Sequence, residues 1–158
     1  MRVLVWVAED GWQAAVDAAP HDAELTLVHV HPTDLDDVTH GAFSGLFGRG
    51  HADPDPGDRV ESIASQAESE LLAAAAERIG RPVEQLRLSG RVEREVVAAA
   101  EGFDLLIVAR DGDTSRLGPK SLGKHARFVV DHAPCPVLLV WPGPAPAVES
   151  IPPPPRTH

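Results

Sequence analysis

The sequence predicts one doubly wound α/β domain with a five-stranded, mainly parallel sheet. Short apolar runs rich in β-branched residues recur along the chain, helical patterns separate them, and 158 residues suit a single domain. Strands that alternate with helices are joined by right-handed crossovers, which make neighbouring strands parallel. We therefore expect the order β-α-β-α-β-α-β-α-β within residues 1–141.

Five segments are predicted to form the strands. Four of them are nearly continuous apolar runs, which are typical of parallel strands buried on both faces. These runs are residues 3–8, 25–30, 105–109 and 137–141. Residues 83–88 instead alternate between apolar and polar side chains, which indicates an edge or half-exposed strand.

Four segments between these strands are predicted to be helical. Residues 12–19 are rich in alanine, and residues 59–79 carry apolar residues at steps of three and four. A third helix follows Val92 and a fourth follows Leu122. The third helix is expected to end at Gly102 and the fourth at Pro134, since glycine and proline commonly terminate helices.

Two segments are predicted to lack regular structure. Residues 31–58 are rich in Gly, Pro, Asp and His, and so long a connection inside a compact domain is usually functional or mobile. Residues 142–158 hold seven of the fifteen prolines. This composition predicts a flexible, extended and solvated tail.

Composition limits the kinds of molecule that the protein is expected to bind and the cellular compartment in which it is expected to occur. The net charge of −10 disfavours nucleic acid and anionic membranes as partners. The first apolar run ends at Glu9 and Asp10, so we expect no signal peptide, and no run approaches the roughly 20 residues that span a bilayer. The single Cys135 forms no internal disulfide. We expect a soluble, cytoplasmic protein.

The segment after the fourth predicted strand is the best candidate for a ligand site. Ligands of open parallel sheets bind outside the carboxyl ends of the strands, where strand order reverses. Residues 110–124 hold three glycines and four cations, and exposed amides at a helix start attract anions. Lys124 opposes the helix dipole there unless it meets an anion. The alternative is that Lys124 is solvated or pairs with a nearby aspartate.

This segment resembles the C-terminal half of a universal stress protein. That family carries Gly-x2-Gly-x9-Gly-Ser/Thr after the fourth strand, then a helix and a His-Ala-Pro-Cys-Pro-Val run, which stands intact here at residues 132–137. The runs at residues 3–7 and 27–30 fit the family as well. The resemblance covers about residues 1–141 except 31–58, and it implies a Rossmann-like fold with strand order 3-2-1-4-5.

The nucleotide-binding motif of that family is altered in this chain. Ala109 stands at the first glycine position, Gly112 at the second, and Gly123 at the third after ten residues instead of nine. Lys124 replaces the family's hydroxyl residue, and His125 follows it. Two outcomes stay open: Lys124 substitutes for the hydroxyl as a charged donor, or the site has lost ATP.

The resemblance implies a set of residues around an adenine nucleotide. Glu9, or alternatively Asp10, would lie near the ribose and Val30 near the base, although Glu9 also suits a first-turn helix acid and Val30 also suits the core. The remaining candidates would surround the phosphates: Ala109, Arg110, Asp111, Gly112, Gly123, Lys124 and His125. The ligand would be ATP or another adenine nucleotide, with Mg²⁺ only alongside it. We expect no other metal site, and we expect His29 and His31 to be exposed or capping residues.

We expect a stress-response or regulatory protein that binds an adenine nucleotide without rapid catalysis. One alternative is a family member that binds no nucleotide and acts as a dimeric interaction protein. Another is an enzyme of the wider adenine-nucleotide α-hydrolase-like class, whose Ser-Gly-Gly-x-Asp-Ser type loop is absent from residues 9–12. Residues 137–141 form an apolar sheet edge, and family dimers pair this strand, so we expect a homodimer.

Overall fold

A computed structural model of the chain describes residues 1–33 and 56–156, with the side chains of residues 56–62 left outside that description. Most of the predicted connection at residues 31–58 therefore lies outside the described residues. The strands are β1 (Arg2–Trp6), β2 (Glu24–Pro32), β3 (Glu84–Gly90), β4 (Leu105–Ala109) and β5 (Val137–Val140). The helices are α1 (Trp12–Asp17), α2 (Pro56–Ile79), α3 (Val92–Ala99) and α4 (Lys124–His132).

The five strands form one sheet in the order β3-β2-β1-β4-β5, and every neighbouring pair is parallel. This confirms the predicted doubly wound α/β fold and the order 3-2-1-4-5. The central strand β1 pairs through Val3 with Leu25 of β2 and with Leu105 of β4. Strand order reverses between β1 and β4, so their carboxyl ends flank the crevice in which such sheets bind ligands.

The sheet separates two apolar layers, because successive side chains of a buried strand point to opposite faces. Val3 and Val5 of β1 pack toward α1 and α2, whereas Leu4 packs toward α3 and α4. All three side chains are fully buried. Burial of each contributes about 1.5–3 kcal/mol relative to exposure, so β1 is anchored in both apolar layers.

Helix α2 begins three residues before the predicted start, at Pro56 instead of Arg59. Proline is well tolerated in the first turn of a helix, since the backbone N–H that it lacks has no partner inside the helix. The helix is 24 residues long, and exposed charged residues such as Glu70 and Arg78 lie on its solvent side. Across residues 1–33 and 56–156, no helix combines the length and the apolar character that crossing a membrane requires.

The tail after β5 is less extended than its composition predicts. A 3-10 turn forms at Val148–Ser150, and the backbone N–H of Leu117 donates to Ser150 Oγ at 3.0 Å. Residues 151–156 are exposed, as expected of a solvated tail. The departure from a fully extended tail arises because the loop after β4 offers a backbone donor to the serine hydroxyl.

Candidate functional site

Two backbone hydrogen bonds close the loop between β4 and α4. The N–H of Gly112 donates to the carbonyl of Ser121 at 2.9 Å, and the N–H of Asp113 donates to the carbonyl of Lys120 at 2.8 Å. A Cβ at position 112 would lie 2.3 Å from the Lys120 oxygen. Only glycine fits here, because the two backbone segments approach too closely for any side chain.

The carboxylate of Asp111 caps the amino end of α4. Its Oδ1 accepts the N–H of Gly123 at 2.6 Å, and its Oδ2 accepts the N–H of Ala126 at 3.3 Å. Gly123 is the N-cap of the helix, and no acidic residue occupies the first turn of α4 itself. Asp111 therefore satisfies amides that have no partner within the helix and places a negative charge against the helix dipole.

Arg110 turns away from these amides and packs against the chain after β5. Its Nη1 donates to Ser121 Oγ at 2.6 Å, and its guanidinium carbon lies 4.2 Å from the centroid of the Trp141 ring. Its Nε is buried and has no hydrogen-bond partner among the described residues. Stacking on the indole and bonding to the serine hydroxyl hold the guanidinium in place, so Arg110 acts as a structural contact in this geometry.

A cleft of about 590 Å³ opens at the carboxyl ends of β2 and β3, between the starts of α3 and α4. Small-molecule sites usually measure roughly 300–1,000 Å³, so the size suits an organic ligand. Cations line it from both helices, Arg91 at the start of α3 and Lys124 with His125 at the start of α4. The full lining is Pro32, Gly90, Arg91, Val92, Glu93, Lys124, His125 and Phe128.

A side-chain hydrogen bond links the two helices across the wall of the cleft. Nδ1 of His125 lies 2.9 Å from Oε2 of Glu93. The pKa of Glu93 is held below its ordinary value by its own backbone N–H and by His125, against an opposing contribution from burial. Glu93 is therefore ionised at neutral pH, and it positions the imidazole of His125 at the edge of the cleft.

The structure brings five of the sequence-predicted residues together at the start of α4. These are Asp111, Gly112, Gly123, Lys124 and His125, of which only Lys124 and His125 line the cleft.

The other predicted residues lie elsewhere. Glu9 is exposed between β1 and α1, while Val30 and Ala109 are buried at 3% and 8% exposure. Ala109 lies against Gly11, where an added Cβ would come within 2.9 Å of the alanine methyl. Neither Glu9 nor Val30 lines the cleft.

Sequence reasoning did not single out the residues that α3 supplies to the cleft. Glu93 follows Arg91 by two residues at the start of a helix, with Glu95 also in the first turn. Acidic residues in a first turn are ordinary helix-start signals, so the pattern alone indicates capping. A contact with His125 of another helix could be found only from the packing of α3 on α4.

A second polar cluster lies on the opposite face of the sheet, where β2 meets α2. Nδ1 of His29 is 2.7 Å from the carbonyl oxygen of Val7, and Nδ1 of His31 is 2.5 Å from Oε1 of Glu68. Arg87 of β3 lies 3.4 Å from the other oxygen of Glu68. The expectation of exposed or capping histidines is wrong for His29, which is only 7% exposed because the Val7 carbonyl gives its buried ring a partner.

This cluster does not amount to a metal site. Within the part of the chain that the structure describes, no group of three or more His, Cys, Asp or Glu side chains is arranged to hold a metal ion. His31 and Arg87 instead bond to the carboxylate of Glu68, and His29 bonds to the Val7 carbonyl, so these polar groups have protein partners. Glu68 and Arg87 were not predicted, since only the fold brings α2 and β3 to the two histidines.

Comparison with known proteins assigns the chain to a family. The sequence profile of the universal stress protein family matches residues 2–140. The chain belongs to the universal stress protein family. This confirms the resemblance seen in the residues around the loop after β4 and in the run that leads into β5. Among curated proteins, none is significantly similar to the chain in sequence.

Solved structures show the same fold. A universal stress protein in complex with cAMP is 18% identical, with a TM-score of 0.61 over 90% of this chain and 98% of that one. A family protein from Arabidopsis thaliana with AMP bound is 16% identical, with a TM-score of 0.55 over 96% of this chain and 95% of that one. The universal stress protein UspA from Lactobacillus plantarum is 22% identical, with a TM-score of 0.57 over 89% and 97%.

Proposed function

We propose that this universal stress protein is a cytoplasmic regulatory protein that binds an adenine nucleotide without rapid catalysis. The observation that carries the proposal is the cleft of about 590 Å³ between α3 and α4, with cations on both sides. The relatives with cAMP and AMP bound support an adenine nucleotide as the class of ligand. The cleft lies at the carboxyl end of the sheet beside β2 and β3, next to the point between β1 and β4 where strand order reverses and open α/β folds hold their ligands.

The lining provides a complementary surface for each part of a nucleotide. The Lys124 ammonium and the Arg91 guanidinium would attract phosphate, as would His125 when it is protonated. Phe128 and Val92 offer an aromatic and an apolar surface on which a base would pack.

A nucleotide with two or more phosphates would bring Mg²⁺ with it. The ion would be held by the phosphate oxygens, since Mg²⁺ in nucleotide sites is usually bound through substrate phosphates and water. The proposal uses Lys124 and His125 from the sequence-predicted set, because these two line the cleft. Hydrolysis is not part of the proposed function.

Titration calorimetry tests this proposal with ATP, AMP and cAMP on the wild type, Lys124→Ala and Lys120→Ala. Lys120 is the matched control, since it is an exposed lysine of the same loop that does not line the cleft. We expect saturable heat for at least one nucleotide, and about tenfold weaker binding in Lys124→Ala alone, since a charged contact contributes about 1.5–3 kcal/mol. Flat heat for all three nucleotides would overturn the proposal.

A second candidate function is a dimeric interaction protein that binds no nucleotide. Two observations favour it: Asp111 already occupies amides at the start of α4, and Leu138 on the edge strand β5 is 39% exposed. A homodimer through residues 137–141 would cover that edge in both subunits at once. Light scattering at micromolar concentration tests the dimer, and we expect twice the chain mass for the wild type and the chain mass for Leu138→Asp.

A further inference from the structure

The strongest unexplained feature near the cleft is the negative charge at the start of α4. Oxygens of Asp111 lie 2.6 Å from the Gly123 nitrogen and 3.3 Å from the Ala126 nitrogen. A Cβ added to Gly123 would lie 2.8 Å from Oδ1 of Asp111, so the carboxylate fits closely over the helix start. An anion from solution and this carboxylate would need the same space and the same donors.

We propose that Asp111 is a specificity-determining residue that acts as an internal anion and excludes phosphate groups from the amides of α4. This inference rests on the proposed function insofar as it concerns nucleotides. Under this inference, side chains of the cleft bind the phosphate groups, and the backbone amides of α4 do not. The protein would then distinguish nucleotides that differ in phosphate number through the cations of the cleft and not through the helix amides.

The loop holds Asp111 in this position from both sides. The bond from the Gly112 N–H to the Ser121 carbonyl follows immediately after Asp111 and ties the loop to the segment that precedes α4. On the other side, the Arg110 N–H donates to the Val140 carbonyl at 2.9 Å. The carboxylate is therefore fixed next to its amides before any ligand arrives, and a competing phosphate would have to displace it.

Asp113 is a matched control for the charge of Asp111. It lies two residues further along the same loop, and it is also exposed. Its carboxylate bonds to the hydroxyl and the backbone N–H of Ser115, and these bonds hold its pKa below the ordinary value. Replacing either aspartate removes one negative charge from the loop, but only the Asp111 change frees amides of α4.

The first experiment uses inorganic phosphate and does not depend on nucleotide binding. Phosphate is titrated into ¹⁵N-labelled wild type, Asp111→Ala and Asp113→Ala, and the amide signals of Gly123 and Ala126 are followed by NMR. We expect saturable shifts of both signals in Asp111→Ala only. Absence of such shifts in Asp111→Ala would overturn the inference, as would equal shifts in the wild type.

The second experiment compares adenosine, AMP and ATP by calorimetry on the same three proteins. In Asp111→Ala we expect AMP and ATP to bind about tenfold more tightly while adenosine is unchanged, since each phosphate gains charge-assisted backbone bonds. An equal gain for adenosine would overturn the inference. If no nucleotide binds any variant, the proposed function fails, whereas the phosphate titration still decides the role of Asp111.

Loss of the helix cap is checked with a conservative variant. Asp111→Asn keeps an acceptor oxygen of similar shape but removes the charge. We expect its phosphate affinity to lie between those of the wild type and Asp111→Ala, with a thermal midpoint close to the wild type. The inference would be contradicted if the phosphate response of Asp111→Ala came from a loss of folded protein and not from the loss of the negative charge at position 111.

Discussion

Two neighbouring helices that flank one cleft begin in opposite ways. Helix α3 carries its own carboxylates, Glu93 and Glu95, in its first turn. Helix α4 has no acidic residue in its first turn, where Lys124 and His125 stand instead, and its carboxylate comes from Asp111, 12 residues before the N-cap Gly123. One helix start therefore has carboxylates of its own in the first turn, and the other borrows its cap from a loop.

This difference separates a helix start that depends on its own residues from one that depends on a distant loop. The carboxylates of α3 belong to the helix itself, so they lie beside its start whenever the helix forms. The carboxylate of α4 depends on the path of the loop from Arg110 to Gly123, so a substitution that breaks the loop would free the amides. A substitution in the loop is thus expected to disturb the start of α4 and to leave the start of α3 unchanged.

Gly112→Ala should produce the largest effect, because it breaks the loop that carries the borrowed cap. The new methyl would lie 2.3 Å from the Lys120 oxygen and 2.9 Å from the Ser121 carbonyl carbon, and both are backbone atoms. We expect a loss of about 1–3 kcal/mol in the free energy of unfolding, the usual range for overpacking. Urea denaturation measures this loss.

Gly143→Ala is the control for that substitution, since a Cβ there meets no atom within 4 Å. Hydrogen exchange then tests the comparison directly in the Gly112→Ala protein. The amide of Ala126 in α4 should exchange faster, whereas the amide of Val96 in α3 should keep its wild-type rate. Equal acceleration at both sites would show that the two helix starts are not independent.

The fold could be predicted because its signals are local. The run at residues 105–109 matches β4 residue for residue, since a buried parallel strand needs a continuous apolar segment. The alternation at residues 83–88 likewise predicts the half-exposed edge strand β3. Neither prediction requires knowledge of a contact between distant residues.

The site could be predicted only in part, because its contacts join distant segments. The family motif marks Gly112 and Gly123, and both lie at the start of α4 as expected. The same reasoning treated Asp111 as one more residue near phosphate, whereas the structure shows it bonded to the amides that a phosphate would use. Its role follows from the path of the loop, which no local pattern specifies.

Glu93→Gln should produce an intermediate effect that depends on pH. The pKa of Glu93 is lowered from its ordinary 4.5, chiefly by its own backbone N–H and further by His125. A carboxylate with a lowered pKa stabilises the fold above its unfolded pKa, and this contribution is lost as pH falls through the folded value. We expect about 0.5–1 kcal/mol of stability to be lost at pH 7, the size of a charge at a helix start.

The measurement is the free energy of unfolding of both proteins between pH 3 and pH 7. The gap between wild type and Glu93→Gln should close as the pH falls below about 4.5, because the wild-type carboxyl then becomes protonated too. Glu77→Gln, at an exposed position of α2, controls for the loss of one negative charge. A gap of constant size across this range would show that the charge of Glu93 does not support the start of α3.

Asp17→Asn should produce the smallest effect on stability. It tests whether any polar contact between segments that are distant in sequence stabilises the domain as strongly as the cap of α4. Asp17 accepts two bonds of 2.7 Å from Arg78, so it too is a partner borrowed from a distant segment, but it caps no amides. Arg78 holds the pKa of Asp17 below its ordinary value, so any stabilisation is present at neutral pH and is lost in acid. Both side chains are about half exposed, and solvent and salt screen such pairs strongly.

We expect Asp17→Asn to shift the midpoint of urea denaturation less than Gly112→Ala or Glu93→Gln does. In high salt we expect the shift to be smaller still. A shift as large as that of Gly112→Ala would mean that long-range polar contacts in general stabilise this domain. The contact between Asp111 and the start of α4 would then be no more important for stability than the others.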